Sequence, residues 1–547
     1  MNPDGVSYLN LSDAWASGDW LAGVSAYWSP LYPAVLGMAS AIISPSPAGE
    51  APLLHAVNFL FFVLSLVGFE VFLSEVRARR GVPQSTGGSE TYTIETAWWD
   101  VFMYGLFAWG GLQLIGVGTT APDMIVAAML YFAAGLTLKS HRRPSPATFA
   151  ALGFVLGLGF LAKGALFSIG CVWLALIAAG FGIRARLGQR LLAPAVYLAV
   201  ALPLIVALSL DQGHVTAGDT GRVNRGWYVN RYPMIWTGLP PGSGKPAHPP
   251  LVMNHEPLVF HYPGNVGSSY PFFDDPSYWT EGMTPRMTDL AGMARTIVRQ
   301  VIYYTRALWP LILSLGILSL LSRPRTVMLR ELARVPSLSL ATMALIAGYA
   351  TVVTQTRFFA ASAVILALLT FDAFRHAAKP PPRAALIFVT ALVSLATQSQ
   401  KGDHVIHQAL MVVREMTGTP VPNEHLAVAS ALSEAGLRRG DKVGVVGTAL
   451  QGYWARLGGW RIVAEIPSWE RDEYMAADDS TRAAAEAAFW RSGARAIVAG
   501  RRRRDPGDFR GWDTIPVAGY FVKWPGVPGQ RDTAAVSPEP VVTDSRP

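Results

Sequence analysis

The sequence contains one cysteine, few charges and no Asp-x-Asp pair. With a single thiol, Cys171, set in an apolar run, neither an internal disulfide nor a thiolate zinc cluster can be built, and the residue reads as packing. Charged residues make up only 15% of the 547 positions against 51% hydrophobic ones, and mean hydropathy is +0.30, too apolar for an ordinary soluble protein. Without an Asp-x-Asp pair, metal-ligand spacing or a Walker loop, a cytosolic nucleotide-sugar donor is disfavoured. Val443-Gly444-Val445-Val446-Gly447 has too few glycines for a dinucleotide fingerprint. Lys and Arg are absent from the first 52 residues, and no internal repeat is visible.

What remains is apolar and segmented. Ten runs approach the roughly 20 residues that a membrane-spanning helix needs: 53–76, 98–117, 122–138, 147–162, 164–183, 191–210, 301–321, 336–354, 358–374 and 384–400. A net charge of +8 is compatible with nucleic-acid binding, but the basic residues sit in short loops between these runs, as topology signals do. Every second loop is basic: Arg77, Arg79 and Arg80; Lys139, Arg142 and Arg143; Arg184, Arg186 and Arg190; Arg323, Arg325, Arg330 and Arg334; Arg375, Lys379 and Arg383. Those loops are assigned to the cytoplasm, which leaves the N-terminus, the loop 211–300 and everything after 400 outside it. An external start with no leader and no preceding span leads to the expectation that the reading frame continues upstream into one more span. A stop codon directly before Met1 would exclude that.

The division that follows is a first external loop with juxtamembrane helices (1–52), membrane helices (53–210), a large external loop (211–300), further membrane helices (301–400), an extracytoplasmic α/β domain (401–525) and a disordered tail (526–547). The large loop is rich in Gly, Pro and aromatics, among them Trp227, Tyr228, Tyr232, Trp236, Tyr262, Tyr270, Tyr278 and Trp279, and is read as an ordered irregular lid. In the α/β domain, β runs at Lys442–Gly447, Arg461–Ile466 and Ala494–Ala499 alternate with helical stretches at His425–Leu437 and Thr481–Ser492. The fold class is therefore mainly α: a polytopic helical bundle with a small C-terminal α/β domain.

Four places carry charge that could do chemistry. Pro3-Asp4-Gly5-Val6-Ser7-Tyr8-Leu9 is followed by Gly18-Asp19-Trp20 and by Tyr27-Trp28-Ser29-Pro30-Leu31-Tyr32-Pro33. Asp4 suits either a helix cap or a general base. Thr119-Thr120-Ala121-Pro122-Asp123 sets a carboxylate at a helix start, itself good helix chemistry. In Leu161-Ala162-Lys163-Gly164 an ammonium stands at the outer end of an apolar hairpin, where it either snorkels or serves an anion. Thr356-Arg357-Phe358 places a guanidinium in a short external turn, with the planar fork that suits a phosphate.

Taken in order, these segments resemble the external loops of the C-type polytopic glycosyltransferases, which include protein O-mannosyltransferases and lipid A aminoarabinose transferase. The likeness covers roughly residues 1–375. It implies that Asp4 is the base acting on an acceptor hydroxyl, that Asp123 is the second site acid, and that Lys163 and Arg357 lie near the phosphate of a polyprenyl-phosphate sugar. Tyr8 and Tyr32, from the same first-loop pattern, are implied as substrate contacts. The sequence departs from the family at Gly5 and Ser7, where Glu and Arg are common, and at Trp28, where a Lys is found. The donor sugar therefore does not carry over. The expected activity is transfer of a sugar from polyprenyl phosphate to a cell-envelope glycan, lipid or protein at the outer face of a bacterial inner membrane, by inverting single displacement. No cofactor is indicated. Asp274, Asp275, His404 and His407 are the side chains from which a divalent metal site could be built, and they read first as solvated loop residues. The rival reading is a transporter or lipid flippase without covalent chemistry, but such proteins tend to carry repeats and mid-span charges.

Overall fold

In the computed structural model of the protein, residues 1–78, 94–231, 250–263, 268–277, 289–322, 332–375, 382–399, 414, 423–500, 509, 511–517 and 519–526 are described. His404, His407, Tyr232, Trp236, Tyr278, Trp279, the basic residues Arg79, Arg80, Arg323, Arg325, Arg330 and Lys379, and the tail beyond Gly526 lie outside them.

The chain opens on α1 (Pro3–Ser17). Asn2 caps it by accepting from the Gly5 amide at 2.7 Å, and Pro3 fills the first turn, where no amide hydrogen is needed. Then come α2 (Leu31–Ile43), α3 (Glu50–Ala78) and α4 (Ile94–Ala108), which runs on into a π-helical segment, Trp109–Ile115. The next helices are α5 (Asp123–Arg142), α6 (Pro146–Ala162), α7 (Leu166–Ala178), α8 (Leu187–Gln212) and the short α9 (Thr220–Tyr228). Strands β1 (Leu251–His255) and β2 (Leu258–His261) precede α10 (Leu290–Ala307), α11 (Trp309–Ser322), α12 (Pro336–Ala350), α13 (Thr356–Arg375) and α14 (Arg383–Ser399). The C-terminal part runs α15 (Glu424–Glu434), β3 (Lys442–Gly447), α16 (Tyr453–Gly458), β4 (Arg461–Pro467), α17 (Arg471–Ala476), α18 (Asp479–Arg491), β5 (Ala496–Gly500), β6 (Asp513–Thr514) and β7 (Tyr520–Lys523).

Each of the ten apolar segments carries a helix, but the helices differ in reach. By length and composition four described helices can cross a membrane: those over Pro47–Ala78, Asp123–Arg142, Leu187–Gln212 and Thr356–Phe374. The pair α10 and α11, bent by 68°, makes a fifth if taken as one span. The chain is a multi-pass membrane protein. Others, such as α6, α7 and α12, are apolar but only 17, 13 and 15 residues long. α5 lies at the centre, with 78% of its apolar window buried, whereas α8, at 28%, lies at the periphery. Contact of α3 with α5 depends on small residues: a Cβ on Gly68 would stand 2.9 Å from the Ala128 carbonyl, and one on Gly135 would stand 3.0 Å from the Phe72 amide. At the far end of this pair Arg142 donates to both carboxylate oxygens of Glu75 at 2.8–3.0 Å.

The strands form one seven-stranded sheet in the order β1-β2-β4-β3-β5-β7-β6. β4, β3 and β5 are parallel, and antiparallel strands extend both edges. The three β runs expected from the sequence are this parallel centre. The reading of 211–300 as irregular throughout is corrected. Within it Thr220–Tyr228 is helical, α10 begins at Leu290, and Leu251–His261 forms a hairpin that pairs Phe260 with Glu465 on β4. The apolar run Leu258-Val259-Phe260 buries both faces of its strand, with Val259 and Phe260 entering core on opposite sides of the sheet, a short signal hidden among Pro and Gly. A buried carboxylate fastens the join: Glu465 accepts from the hydroxyls of Tyr262 at 2.9 Å and Tyr270 at 2.5 Å.

Candidate active site

The site is assembled where helices end. α1 is pressed against the turn before α5: a Cβ on Gly5 would stand 2.3 Å from Thr120 Oγ1, and that hydroxyl donates to Asn2 Oδ1 at 2.6 Å. Asn2 thus caps α1 and grips the neighbouring loop with one oxygen. Gly at position 5 is what allows this approach. The π-helical segment aims the next two elements through its last carbonyls. Thr119 Oγ1 donates to Ile115 O and Thr356 Oγ1 to Leu114 O, each at 2.8 Å, which fixes the approach to α5 and the start of α13.

These anchors bring Asp4, Asp123, Lys163 and Arg357 together from four segments. Arg357 Nη2 donates to Asp4 Oδ2 at 2.9 Å, and its Nε lies 3.4 Å from Asp123 Oδ2. Lys163 Nζ donates to Asp123 Oδ1 at 2.5 Å. The ammonium also rests 3.7 Å from the centre of the Phe358 ring, which stacks on Tyr349 at 5.1 Å. Gln355 accepts from Arg357 Nε at 2.7 Å. Two cations and two carboxylates therefore share one cluster of zero formal charge. Their exposures differ: the Asp123 side chain is 2% accessible, Arg357 13%, Lys163 18% and Asp4 39%. Asp123 is the enclosed acid between both cations, and Asp4 is the open one.

No protein-family model and no curated protein matches this chain. The chain is similar in structure to ArnT and to an oligosaccharyltransferase. ArnT from Cupriavidus metallidurans bound to undecaprenyl phosphate aligns at a TM-score of 0.46 and 12% identity, over 91% of this chain and 88% of that one. Its apo state gives a TM-score of 0.44, 13% identity and the same two coverages, 91% and 88%. The Archaeoglobus fulgidus oligosaccharyltransferase in the apo form gives 0.48 at 12% identity, over 91% of this chain and 66% of that one.

The two tyrosines named with the site are placed differently. Tyr8, one turn after Asp4 on α1, is buried edge-on between Trp28 and Tyr32, with ring centres 5.0 Å from each. Tyr32 is fully enclosed, and its hydroxyl donates to Asn58 Oδ1 at 2.9 Å while Asn58 Nδ2 donates to Thr119 O at 2.8 Å. Tyr32 therefore reaches the cluster through Asn58 and the loop before α5, and through the Tyr8 ring. Asp275 is a tie between loops: it accepts from Ser25 Oγ at 2.9 Å, Ala26 N at 2.7 Å and Ser277 N at 2.8 Å. Beside it, Asp274 Oδ2 is sealed from solvent with no hydrogen-bond partner among the described residues, and burial pushes that carboxyl up to about 7. Among the described residues no cluster of three or more His, Cys, Asp or Glu is placed to hold a metal.

Sequence reasoning missed Asn2, Thr120, Gln355, Tyr349 and Phe358. Phe358 follows Arg357 directly and so carried a signal. Asn2, directly before Pro3, carried a helix-cap signal, and Tyr349, in an apolar run, carried none.

Proposed function

We propose that the protein is a membrane glycosyltransferase that moves a sugar from a polyprenyl-phosphate donor to an acceptor hydroxyl outside the cytoplasm. The observation that carries this reading is the four-residue charge cluster, with Asp4 its only widely accessible acid. Lys163 and Arg357 take the donor phosphate: Arg357 offers a planar fork, and Lys163 is preset over Phe358. An acceptor hydroxyl is a poor nucleophile at neutral pH, and a positioned carboxylate gives general-base help of about 10²–10⁴-fold. Asp4 takes the hydroxyl proton as the acceptor oxygen bonds to the anomeric carbon. The bond from that carbon to the phosphate oxygen breaks on the opposite face, and the phosphate leaves with its charge held by the two cations. One displacement inverts the anomeric centre. Asp123 acts differently, because it is enclosed and bound to both cations and so fixes their spacing. Tyr8 lies one turn from Asp4 and walls the acceptor side.

The test incubates purified protein with radiolabelled decaprenyl- and undecaprenyl-phosphate sugars and a crude cell-envelope acceptor. Transfer that depends on Asp4 supports the reading. No transfer from any donor would move the assignment to a transporter or flippase.

A further inference from the structure

We propose that Arg456, on the C-terminal α/β part of the chain, is a positioning residue for Asp4, holding the far end of the helix that carries the base. The proposal rests on the reading of Asp4 as that base. α1 has two grips. At its first turn Arg357 binds Asp4. At its far half Arg456 reaches in from α16: Nη1 donates to Asn10 Oδ1 and Asp13 Oδ2, both at 2.7 Å, and Nη2 donates to Asp13 Oδ1 at 3.0 Å. Nη2 also meets Glu50 Oε1 at 2.6 Å, and Nε donates to the same oxygen at 3.0 Å. Tyr453, at the start of α16, donates from its hydroxyl to Glu50 Oε2 at 2.8 Å.

All five guanidinium hydrogens are thus used, and they tie α16 to both α1 and the start of α3. Only 11% of the Arg456 side chain is accessible, so water does not substitute readily for these partners. A lysine has three donors radiating from one atom and cannot span the same four oxygens. Asp4 and Asp13 are nine residues apart on one helix, so at about 1.5 Å per residue the lever between them is about 13 Å. Release of the Asp13 end lets the helix pivot about its middle, about 7 Å from Asp4, so that a tilt of about 8° moves Asp4 by about 1 Å. Misplacement by about 1 Å can cost about 10²-fold in rate. Through this clamp the α/β part supplies no reacting group yet sets where the base stands.

The test uses the full chain in lipid nanodiscs with Arg456→Gln, Arg456→Lys and the milder Asp13→Asn, which leaves the Glu50 contact intact. Three quantities are read: turnover per folded molecule, affinity for the polyprenyl-phosphate donors, and amide hydrogen exchange along residues 3–17. In Arg456→Gln exchange in α1 should rise while α5 stays protected. Turnover should fall about 10-fold or more, and donor affinity should hold within about twofold, because Lys163 and Arg357 are untouched. Arg456→Lys should behave like Arg456→Gln. Unchanged exchange in α1, or freed exchange with wild-type turnover, overturns the proposal, as does a loss of donor binding equal to the loss of turnover. If the wild type transfers from no donor, the functional reading fails, and exchange in α1 alone then decides whether Arg456 holds the helix.

Discussion

Asp4 and Asp123 stand in one cluster, yet replacing each by asparagine should damage different properties. Asp123 is 2% accessible and shares its two oxygens between Lys163 at 2.5 Å and Arg357 at 3.4 Å. Its neutral amide would leave an enclosed ammonium without a full counter-charge, and breaking a buried pair in that way costs about 3–5 kcal/mol. Asp4 is 39% accessible, with Arg357 as its ion-pair partner at 2.9 Å. Asparagine there keeps a hydrogen bond, and at such exposure the ion pair contributes about 1 kcal/mol or less. Asp4→Asn should therefore unfold at nearly the wild-type temperature while turnover drops by about 10²-fold or more, the signature of a lost general base. Asp123→Asn should unfold well below wild type and, counted per folded molecule, lose less turnover. Thermal unfolding in nanodiscs, paired with the radiolabelled transfer assay, separates the two. Equal turnover in wild type and Asp4→Asn would refute the base assignment. Severe loss only in Asp123→Asn would exchange the two roles.

Further outcomes follow from individual contacts. Phe358→Leu removes the ring beneath Lys163 and should weaken donor affinity by an amount equivalent to about 0.5–2 kcal/mol, read by donor titration. Glu465→Gln leaves Tyr262 and Tyr270 a weaker acceptor and should loosen the hairpin, costing about 1–3 kcal/mol and exposing 251–261 to limited proteolysis. Asp274 sets a pH dependence. Its folded pKa, about 7, lies above the ordinary 3.8, so the folded state holds the proton more tightly and stability falls as pH rises from about 4 to about 7. Asp274→Asn should match wild type near pH 4 and exceed it at pH 8 by about 2–4 kcal/mol, read from unfolding midpoints at the two pH values.

How much of this was legible in the sequence depended on whether a signal was local. The apolar runs announced helices because burial in lipid requires continuous hydrophobicity, and the parallel strands Lys442–Gly447 and Arg461–Pro467 announced themselves as short β-branched stretches. Lys163 stood out because it interrupts an apolar setting at a cost, whereas Asp4, Asp123 and Arg357 stood out through the resemblance of their segments to a known family's external loops. What could not be read was convergence. Nothing in the order of residues says that Leu258-Val259-Phe260 will join a sheet some 200 positions later, or that Arg456 will grip Asp13. Nor did hydropathy reveal that α4 turns π-helical at Trp109, since a wider turn alters which carbonyls are free and leaves the apolar pattern intact. Tyr32, which a first-loop motif named, is enclosed, with its hydroxyl donating to Asn58, a contact that no local signal announces.

The placement of the four charges along their helices separates stability from function. A helix start favours a carboxylate and a helix end favours a cation, by about 0.3–1 kcal/mol in ordinary settings. Asp4 lies in the first turn of α1, Asp123 opens α5, and Lys163 caps the end of α6. Each sits where the backbone dipole prefers its charge, so each has a reason to be there without any substrate. Arg357 does not. It is the second residue of α13, where the free amide hydrogens of the first turn already make the surroundings positive. Asp4 and Asp123 offset that repulsion, but an uncharged residue would have avoided it. A guanidinium held at a helix start, against the dipole and only 13% accessible, concentrates positive potential at one point. Such a point stabilises an anion better than it stabilises the fold. On this ground Arg357, more than the better-placed Lys163, is the residue we propose for the donor phosphate.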